Sequence, residues 1–598
     1  GINIPDGVTS IGGWAFSKCS SLTSIIIPDS VTSIGDSAFS DCSSLTSIVL
    51  PDNILTIEDW TFNGCSNLIR VVIPDGVTSI GSHAFYKCSS LTNIILPENV
   101  TSIGDSAFKN CSSLTSVVIS DSVTSIGDYA FAYCSGLTSI VMPDSVTSIG
   151  DSAFSGCRSL ISIDIPDNVT SIGSSVFSGC NSLTGINISD NITSIGDSAF
   201  SGCRSLTSIV IPDRVTSIGS NAFHGCNSLT SMNVPNNVIF IGDGAFFECS
   251  NLTSVILPDS ITDIGKSAFF GCSNLASIVI PDSVTSIGDW AFSGCISLTS
   301  INVPDNVTNI GIYAFNDCSS LTNINLSDNV TSIKSGAFLG CSGLASISLP
   351  NNITSIEIHT FYGCSSLTSI IIPDKVALIQ NYAFYECSGL VNVVIPSTVT
   401  TIGLSAFDSC TNLKTVNYSG TREQWDAITI AEGNEALKNA TLILKNDSGV
   451  IDTEEKLRAA IADWEAAGYG SIFIKGGVVL TSDLTVPYGC SIVIMGDGSL
   501  TVSSGVTLNT YEDISIENYN SGNSVFTIEN GGTVNLLPAQ TRYGYAYPMI
   551  YVAYGRLLNY GSINADVAST AKVALKWQTG VSGNYSDHVT GVDTSDIL

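Results

Sequence analysis

Cysteine recurs in this chain at a single interval. Cys19, Cys42 and Cys65 begin a series that runs to Cys387 and Cys410, each member 23 residues after the last, with no insertion or deletion. Eighteen of the 19 cysteines belong to it, and Cys490 falls outside. Phe stands three residues before every one of the eighteen, from Phe16 to Phe407. Leu stands three residues after each, from Leu22 to Leu413. Pro follows nine residues after most (Pro28, Pro51, Pro74), with Ser120, Ser189 and Ser327 in its place elsewhere. A chain with one fixed short period has to fold as a stack of like units, because every unit meets the same neighbours.

One unit reads Cys-Ser-Ser-Leu-Thr-Ser-Ile-x-Ile-Pro-Asp-x-Val-Thr-Ser-Ile-Gly-Asp-x-Ala-Phe-x-x. A period of 20 to 29 with L-x-x-I-x-I spacing is the leucine-rich-repeat class of solenoid. The stretch Leu-Thr-Ser-Ile-x-Ile alternates at its end and is β-branched, so it predicts a strand. Pro-Asp ends that strand, because Pro cannot donate to a ladder. Val-Thr-Ser-Ile predicts a second, shorter extended piece. Asp-x-Ala-Phe-x-x-Cys is too short for a stable helix and predicts one helical or 3₁₀ turn on the opposite side. Eight positions per unit point inward: Cys, Leu, Ile, Ile, Val, Ile, Ala and Phe. Their burial does not offset the entropy of ordering 23 residues, so one coil cannot fold alone and stacking must complete it. The expected fold is a mainly β, right-handed leucine-rich-repeat superhelix of 18 coils over residues 1–419. At about 4.8 Å per stacked strand, its concave wall would run on the order of 80 Å.

The repeated unit, for example Cys203 to Phe223, resembles the BspA-like (Treponema pallidum-type) leucine-rich repeat. The likeness covers residues 2 to about 419. The segment Tyr418-Ser-Gly-Thr-Arg-Glu-Gln-Trp425 is similar to the cap that often closes such arrays in anaerobic gut bacteria. The resemblance implies a surface or secreted protein, with some members acting as adhesins for host matrix proteins or other microbes. It supplies no catalytic residues, cofactor or metal, and none is assigned here.

Composition narrows the partners. The chain is 598 residues long, 44% hydrophobic and 12% charged, with a net charge of −31. An average globular chain is about 25% charged. The hydrophobic fraction excludes disorder. Nucleic acid needs a basic footprint, and this chain is acidic. An anionic membrane surface would repel it, and no apolar run of about 18 residues predicts a membrane helix. Residues 1–449 carry −23 and the remainder −8.

Several repeat positions bear on chemistry. A cysteine row in a secreted protein raises the question of disulfides. Stacked coils place neighbouring Cys within bridging distance but with parallel side-chain vectors, and no two-coil alternation marks pairs. The row is expected to be free, buried and small. Without an accompanying His series it is not expected to hold metal. Asp follows the proline (Asp29, Asp52, Asp75, Asp144) and the glycine (Asp36, Asp59, Asp105, Asp128, Asp151) in many coils. Calcium between coils is one reading. Interruption by Asn236, Asn351, Ser397 and Lys266 favours turn chemistry instead. The position seven before Cys is Gly in 14 of 18 coils, with Glu58, Lys334, Glu357 and Gln380 as exceptions. None of these is Asn, so close approach is expected there rather than positive φ. Aromatic residues at the position five before Cys (Trp14, Trp60, Tyr129, Trp290, Tyr313, Tyr382), with His83 and His359, are scattered as drift at an exposed convex site would be.

The outward strand position, seven after Cys, is the candidate interaction surface. It reads Ile26, Val49, Val72, Ile95, Val118, Val141, Asp164, Asn187, Val210, Asn233, Ile256, Val279, Asn302 and Asn325, then Ser348, Ile371, Val394 and Asn417. Its neighbours are mostly Thr and Ser, so the wall is nearly uncharged. An exposed apolar stripe of this length marks an interaction surface; equally, β-branched residues suit strands. Asn and Asp in mid-wall are suited to hydrogen-bond a sugar or a peptide.

Beyond Thr421 the period stops. Residues 420–449 are expected to form a cap and linker, with short helical pieces at Arg422–Ile428 and Glu432–Lys438 and a linker at Asn446–Gly449. Residues 450–598 begin with a capped amphipathic helix from Asp452-Thr453-Glu454-Glu455 through Leu457, Ala460, Ile461 and Trp464. Short β-rich pieces follow at Ser471–Ile474, Val478–Leu480, Leu484–Val486, Ser491–Met495, Ser499–Val502 and Val506–Leu508. They resemble a small β-helix of the pectin-lyase type. The 15 acidic residues of this part show no paired carboxylate motif, and its one His is His588. Gly1–Pro5 begins inside a strand and Asp593–Leu598 shows no sorting motif, so export and anchoring signals are expected outside this sequence. Three functions are compatible with the sequence. The first is an extracellular, surface or secreted, protein that binds a protein or glycan partner on another cell or host matrix along the concave wall. The second is a passive stalk, and the third a polysaccharide enzyme through residues 450–598.

Overall fold

A computed structural model describes residues 1–444 throughout and, between 451 and 590, one helix, sixteen strands and a few residues joining them. The linker Asn446–Gly449, His588 and the segment Asp593–Leu598 lie outside the described residues. The chain forms a parallel-strand solenoid of 23-residue coils, divided into two compact units. The first comprises residues 1–347 and 357–365, the second 348–356 and 366–598.

Most coils of the first unit contribute the two extended pieces that their sequence predicts. The longer covers positions such as Ser47–Val49 and Ser116–Val118, with the middle residue buried and the outer two exposed. The shorter covers pairs such as Ser102–Ile103 and Ser125–Ile126. Both pair in parallel with the equivalent residues of the neighbouring coil, Val118 opposite Ile95 and Val141, and Ile103 opposite Ile126. The 23-residue period makes this register unavoidable, since any slip would move the inward Ile to the surface.

The third side of the coil differs from expectation. It is neither a helical nor a 3₁₀ turn but a chain of tight turns with two left-handed residues per coil. These stand five and one before the Cys, as at Ser37 (φ 57°) and Asp41 (φ 58°). Alternate N–H groups then point to different partners. Ala38, Ser40 and Cys42 donate within their own coil to Gly35, Ser37 and Phe39. Ser37, Phe39 and Asp41 donate to Asp59, Thr61 and Asn63 of the next. A helix would turn every N–H back on its own coil; the alternation extends the inter-coil ladder around the convex side. Gly at the position one before Cys in nine of 18 coils was the available sequence signal for this.

The glycine seven before Cys behaves as expected. Its φ is not positive, and a Cβ on Gly127 would lie 2.7 Å from the backbone nitrogen of Asp105 in the preceding coil.

The interior is built from identical rows. Phe16 through Phe361 stack face to face, one per coil, with ring centroids 5.3 to 5.8 Å apart (for example Phe85–Phe108 and Phe154–Phe177). All 19 cysteines are free thiols, and all but Cys19 are buried. Each series thiol from Cys42 to Cys364 donates to the Phe carbonyl 26 residues earlier, as Cys203 Sγ does to Phe177 O at 3.2 Å. Cysteine fits because it is small enough for the row and still carries a donor. Burial pushes these thiols up, Cys42 to about 11 and Cys180 to about 12.

In the second unit the coil continues through Ser369–Ile371, Asn392–Ile395 and Thr415–Tyr418. The expected cap holds two short helices, α1 (Arg422–Asp426) and α2 (Glu435–Asn439). It also holds two strands that the sequence reading missed. Thr429–Ile430 pairs with Thr401–Ile402, and Thr441–Leu444 with Thr415–Tyr418. The cap is therefore a last, enlarged coil. Asn434, fully buried, completes it. Its Oδ1 accepts the Phe407 N–H at 3.0 Å, and its Nδ2 donates to the carbonyls of Gly403 and Ala431, both at 2.9 Å. Asn434→Leu would strand these groups, each costing about 1–3 kcal/mol if left unpaired. The expected result is faster amide exchange at Phe407 and its neighbours with the coils from Cys42 to Cys226 unchanged; uniform exchange across the chain would refute it.

The part beyond 450 opens with α3 (Glu454–Glu465), capped by Thr453, whose Oγ1 accepts the Lys456 N–H at 3.2 Å. Burial raises the Glu454 carboxyl, but bonds from the Thr481 and Ser482 hydroxyls, the Thr481 N–H and Arg458 outweigh it and bring it to about 2. Leu457 and Ile461 join a core with Ile472, Val478, Leu484, Cys490 and Leu500. Apart from the antiparallel pair Ala539–Thr541 and Gly544–Ala546, the strands belong to three parallel sheets visited in rotation. The first holds Gly470–Ile474, Cys490–Met495 and Ile514–Glu517, the second Gly477–Leu480, Ser499–Val502 and Val525–Ile528, the third Leu484–Val486, Thr507–Thr510 and Thr533–Leu536.

Candidate interaction surface

Position seven after Cys lies on the outer side of the longer strand, because the residue before it is turned into the core. From Ile26 to Asn325 all fourteen sequence-predicted residues are exposed. The apolar members, Ile26, Val49, Val72, Ile95, Val118, Val141, Val210, Ile256 and Val279, are between 42 and 82% exposed. Register places Val49 opposite Val72, Val118 opposite Ile95 and Val141, and Asp164 opposite Asn187. Val210 and Val279 keep the position although their coils lack a regular strand there. The polar members form ladders: Asn187 Nδ2 donates to Asp164 Oδ1 at 2.8 Å, and Asn325 Nδ2 to Asn302 Oδ1 at 3.1 Å.

Position five after Cys shares this face and is mostly Ser, as at Ser47, Ser116 and Ser300. The Thr residues flanking the strands are structural. Thr115 Oγ1 donates to Thr92 O at 3.1 Å, and Thr124 Oγ1 to Thr101 O at 3.3 Å. Their hydroxyls repeat the coil-to-coil bonding of the backbone.

In the second unit the wall changes character. Ile371 is half-buried, Val394 is buried, and Asn392 and Thr415 are buried beside it. Asn392 Oδ1 accepts from Thr415 Oγ1 at 3.0 Å and from Asn417 Nδ2 at 2.6 Å. Sequence spacing treats these positions like the rest, so this closure was not visible in it.

The Asp row after the glycine serves the backbone of the following coil. Asp59 Oδ1 accepts the Ser82 N–H at 2.6 Å, Asp105 Oδ1 the Asp128 N–H at 2.9 Å, and Asp197 Oδ1 the Ser220 N–H at 2.7 Å. Asn381 does the same for Leu404 at 2.8 Å. One side-chain oxygen in each of these pairs is thus committed to an amide N–H, the role of a turn residue carried across coils.

The convex aromatics are less scattered in space than in sequence. Trp60 stacks on His83 with centroids 3.8 Å apart, and Trp290 on Tyr313 at 4.3 Å. Residues two before Cys join them: Tyr86 meets Trp60 and His83 edge-on, and Phe247 stacks on Phe270 at 4.5 Å. In the stacked pairs one ring face covers the other, and these contacts stabilise the stack from coil to coil.

Similarity to known proteins agrees with this geometry. The family described as BspA type Leucine rich repeat region matches residues 1–115, 101–227, 193–322 and 308–431. A solved leucine-rich repeat protein from Bacteroides ovatus is 34% identical, over 62% of this chain and 87% of that one, with a TM-score of 0.50. A leucine rich cell surface protein from Faecalibacterium prausnitzii is 33% identical, over 59% and 86%, with a TM-score of 0.34. A leucine-rich repeat protein from Eubacterium ventriosum is 27% identical, over 52% and 85%, with a TM-score of 0.40. None of the curated proteins compared with the chain matches it. Among the described residues no helix is long and apolar enough to cross a membrane. With its 23-residue coil, its parallel ladders and a match running from residue 1 to 431, the chain belongs to the BspA-type leucine-rich repeat family.

Proposed function

We propose that this chain is an extracellular interaction protein, displayed on or secreted from a cell, that binds a partner on another cell or host matrix along the exposed wall from Ile26 to Asn325. The observation that carries this reading is the run Ile26, Val49, Val72, Ile95, Val118 and Val141. It is a contiguous, exposed β-branched column in a chain of net charge −31, on a face nearly free of charge. Strand preference alone accounts for β-branching but not for sparing this face the acidity that the turns carry. Residues 450–598 act in this reading as a β-helix-like spacer, supported by three parallel sheets visited in rotation.

The test replaces Val72, Ile95 and Val118 together with Lys and measures binding to a panel of extracellular-matrix proteins and a glycan array. Wild-type binding should fall at least ~10-fold, while thermal unfolding moves little, since surface substitutions cost about 0.5 kcal/mol each. Undiminished binding refutes the wall as the site. No saturable ligand for the wild type would favour a passive stalk.

A further inference from the structure

The two outward columns of the wall, five and seven after Cys, contain only two charged side chains between Ser24 and Asn325: Arg70 and Asp164. Both are exposed. They are opposite in sign and four coils apart, roughly 19 Å at a strand spacing of about 4.8 Å. Val72, Ile95, Val118 and Val141 fill the column that leads to Asp164, and Arg70 stands beside Val72 on the same strand, one column over. Among the described residues Arg70 joins no ion pair. Asp164 Oδ1 accepts from Asn187 Nδ2, and among the described residues Oδ2 has no hydrogen bond.

An apolar column offers nothing to sugar hydroxyls, and its step of about 4.8 Å is close to the 5.4 Å pitch of an α-helix. A helix laid along the stack therefore sets an apolar side chain over each successive coil, and about 13 residues span the distance between the two charges. An extended segment repeats each face at roughly 6.6 Å and falls out of step within two coils. Resting on the function proposed above, we propose that the wall between Arg70 and Asp164 takes an amphipathic helix of a protein partner. Its apolar side chains pack on Val72, Ile95, Val118 and Val141, a carboxylate of its first turn meets Arg70, and a Lys or Arg of its last turn meets Asp164. Acid first and base last is also the order that a helix dipole favours.

The test pans a phage-displayed library of helical miniproteins against the full chain. Enriched helices should carry an acidic and a basic residue about 12 positions apart around an apolar face. They should bind Arg70→Glu and Asp164→Lys at least ~10-fold more weakly, and charge-reversed helices should regain affinity for the double variant. Helices indifferent to both changes but lost with Val72→Lys, Ile95→Lys and Val118→Lys would overturn the charge pairing and leave the wall as the site. Helices insensitive to every wall change would overturn both. No enrichment, with glycan binding that the triple variant abolishes, would overturn a polypeptide partner in favour of a glycan.

Discussion

In the native protein a thiol reagent should label about one cysteine, Cys19, because it alone of the nineteen is not buried. In denaturant without reductant all 19 should react. Two or fewer reactive thiols after denaturation would establish disulfides and overturn the free row. The same row sets an alkaline limit on stability. Burial raises the Cys42 thiol from 9.0 to about 11 and the Cys180 thiol to about 12, so the folded coils hold protons that the unfolded chain releases. Below pH 9 both states are protonated and this contribution is complete. As pH rises from 9 towards 12 it is lost, row-wide, because the thiols sit in successive coils. Unfolding should therefore set in above pH 9, and Cys→Ala changes in several adjacent coils should make the pH dependence shallower. Stability that is flat from pH 8 to 11 would show that the thiolates form at no cost in the folded state.

The Phe200→Ala variant should lose about 3–5 kcal/mol, the range for emptying a fully buried Phe site. Phe200 is 0% exposed and stacks on Phe177 at 5.5 Å and Phe223 at 5.4 Å. The cavity cannot collapse readily, because closing it would break the ladders that fix the coil spacing. In a one-dimensional array the loss falls on the nearest interfaces. Amide exchange should accelerate in the coils around Cys203 and much less in those around Cys65. Phe200→Leu, which keeps most of the volume, should lose about 1–2 kcal/mol. Equal losses for Ala and Leu would mean that the ring stack, rather than the filled volume, carries the energy.

What was legible in the sequence is what identical repetition forces. Eighteen copies of one period average away accident, so the inward Phe, Cys, Leu and Ile and the two parallel strands follow from spacing alone. The role of glycine seven before Cys was also expected, because none of its substitutes Glu58, Lys334, Glu357 and Gln380 is Asn, and its φ is not positive. The left-handed residues five and one before Cys were harder. One before Cys, Gly in nine coils is a signal of positive φ, but five before Cys Ser37, Trp60 and Ser106 carry none, and the inter-coil bonds of the turns hold them there. Local preference could not report a conformation that only the stack makes favourable.

The wall divides in the same way. The alternation of buried and exposed residues assigned Ile26 through Asn325 to the outer face, since a strand has only two faces and the Ile between them had to be inside. That Asp59 and Asp105 give an oxygen to the next coil, that Trp60 lies on His83, and that Asn434 closes the last ladder are decisions of tertiary structure. So is the burial of Val394 and Asn392 at positions where earlier coils are open. Each joins residues at least 22 positions apart in the chain. The sequence by itself determined which face every repeat residue occupies, because that depends on period. Which partner each side chain meets depends on the coil stacked against it, and stacking distance is a property of the folded array.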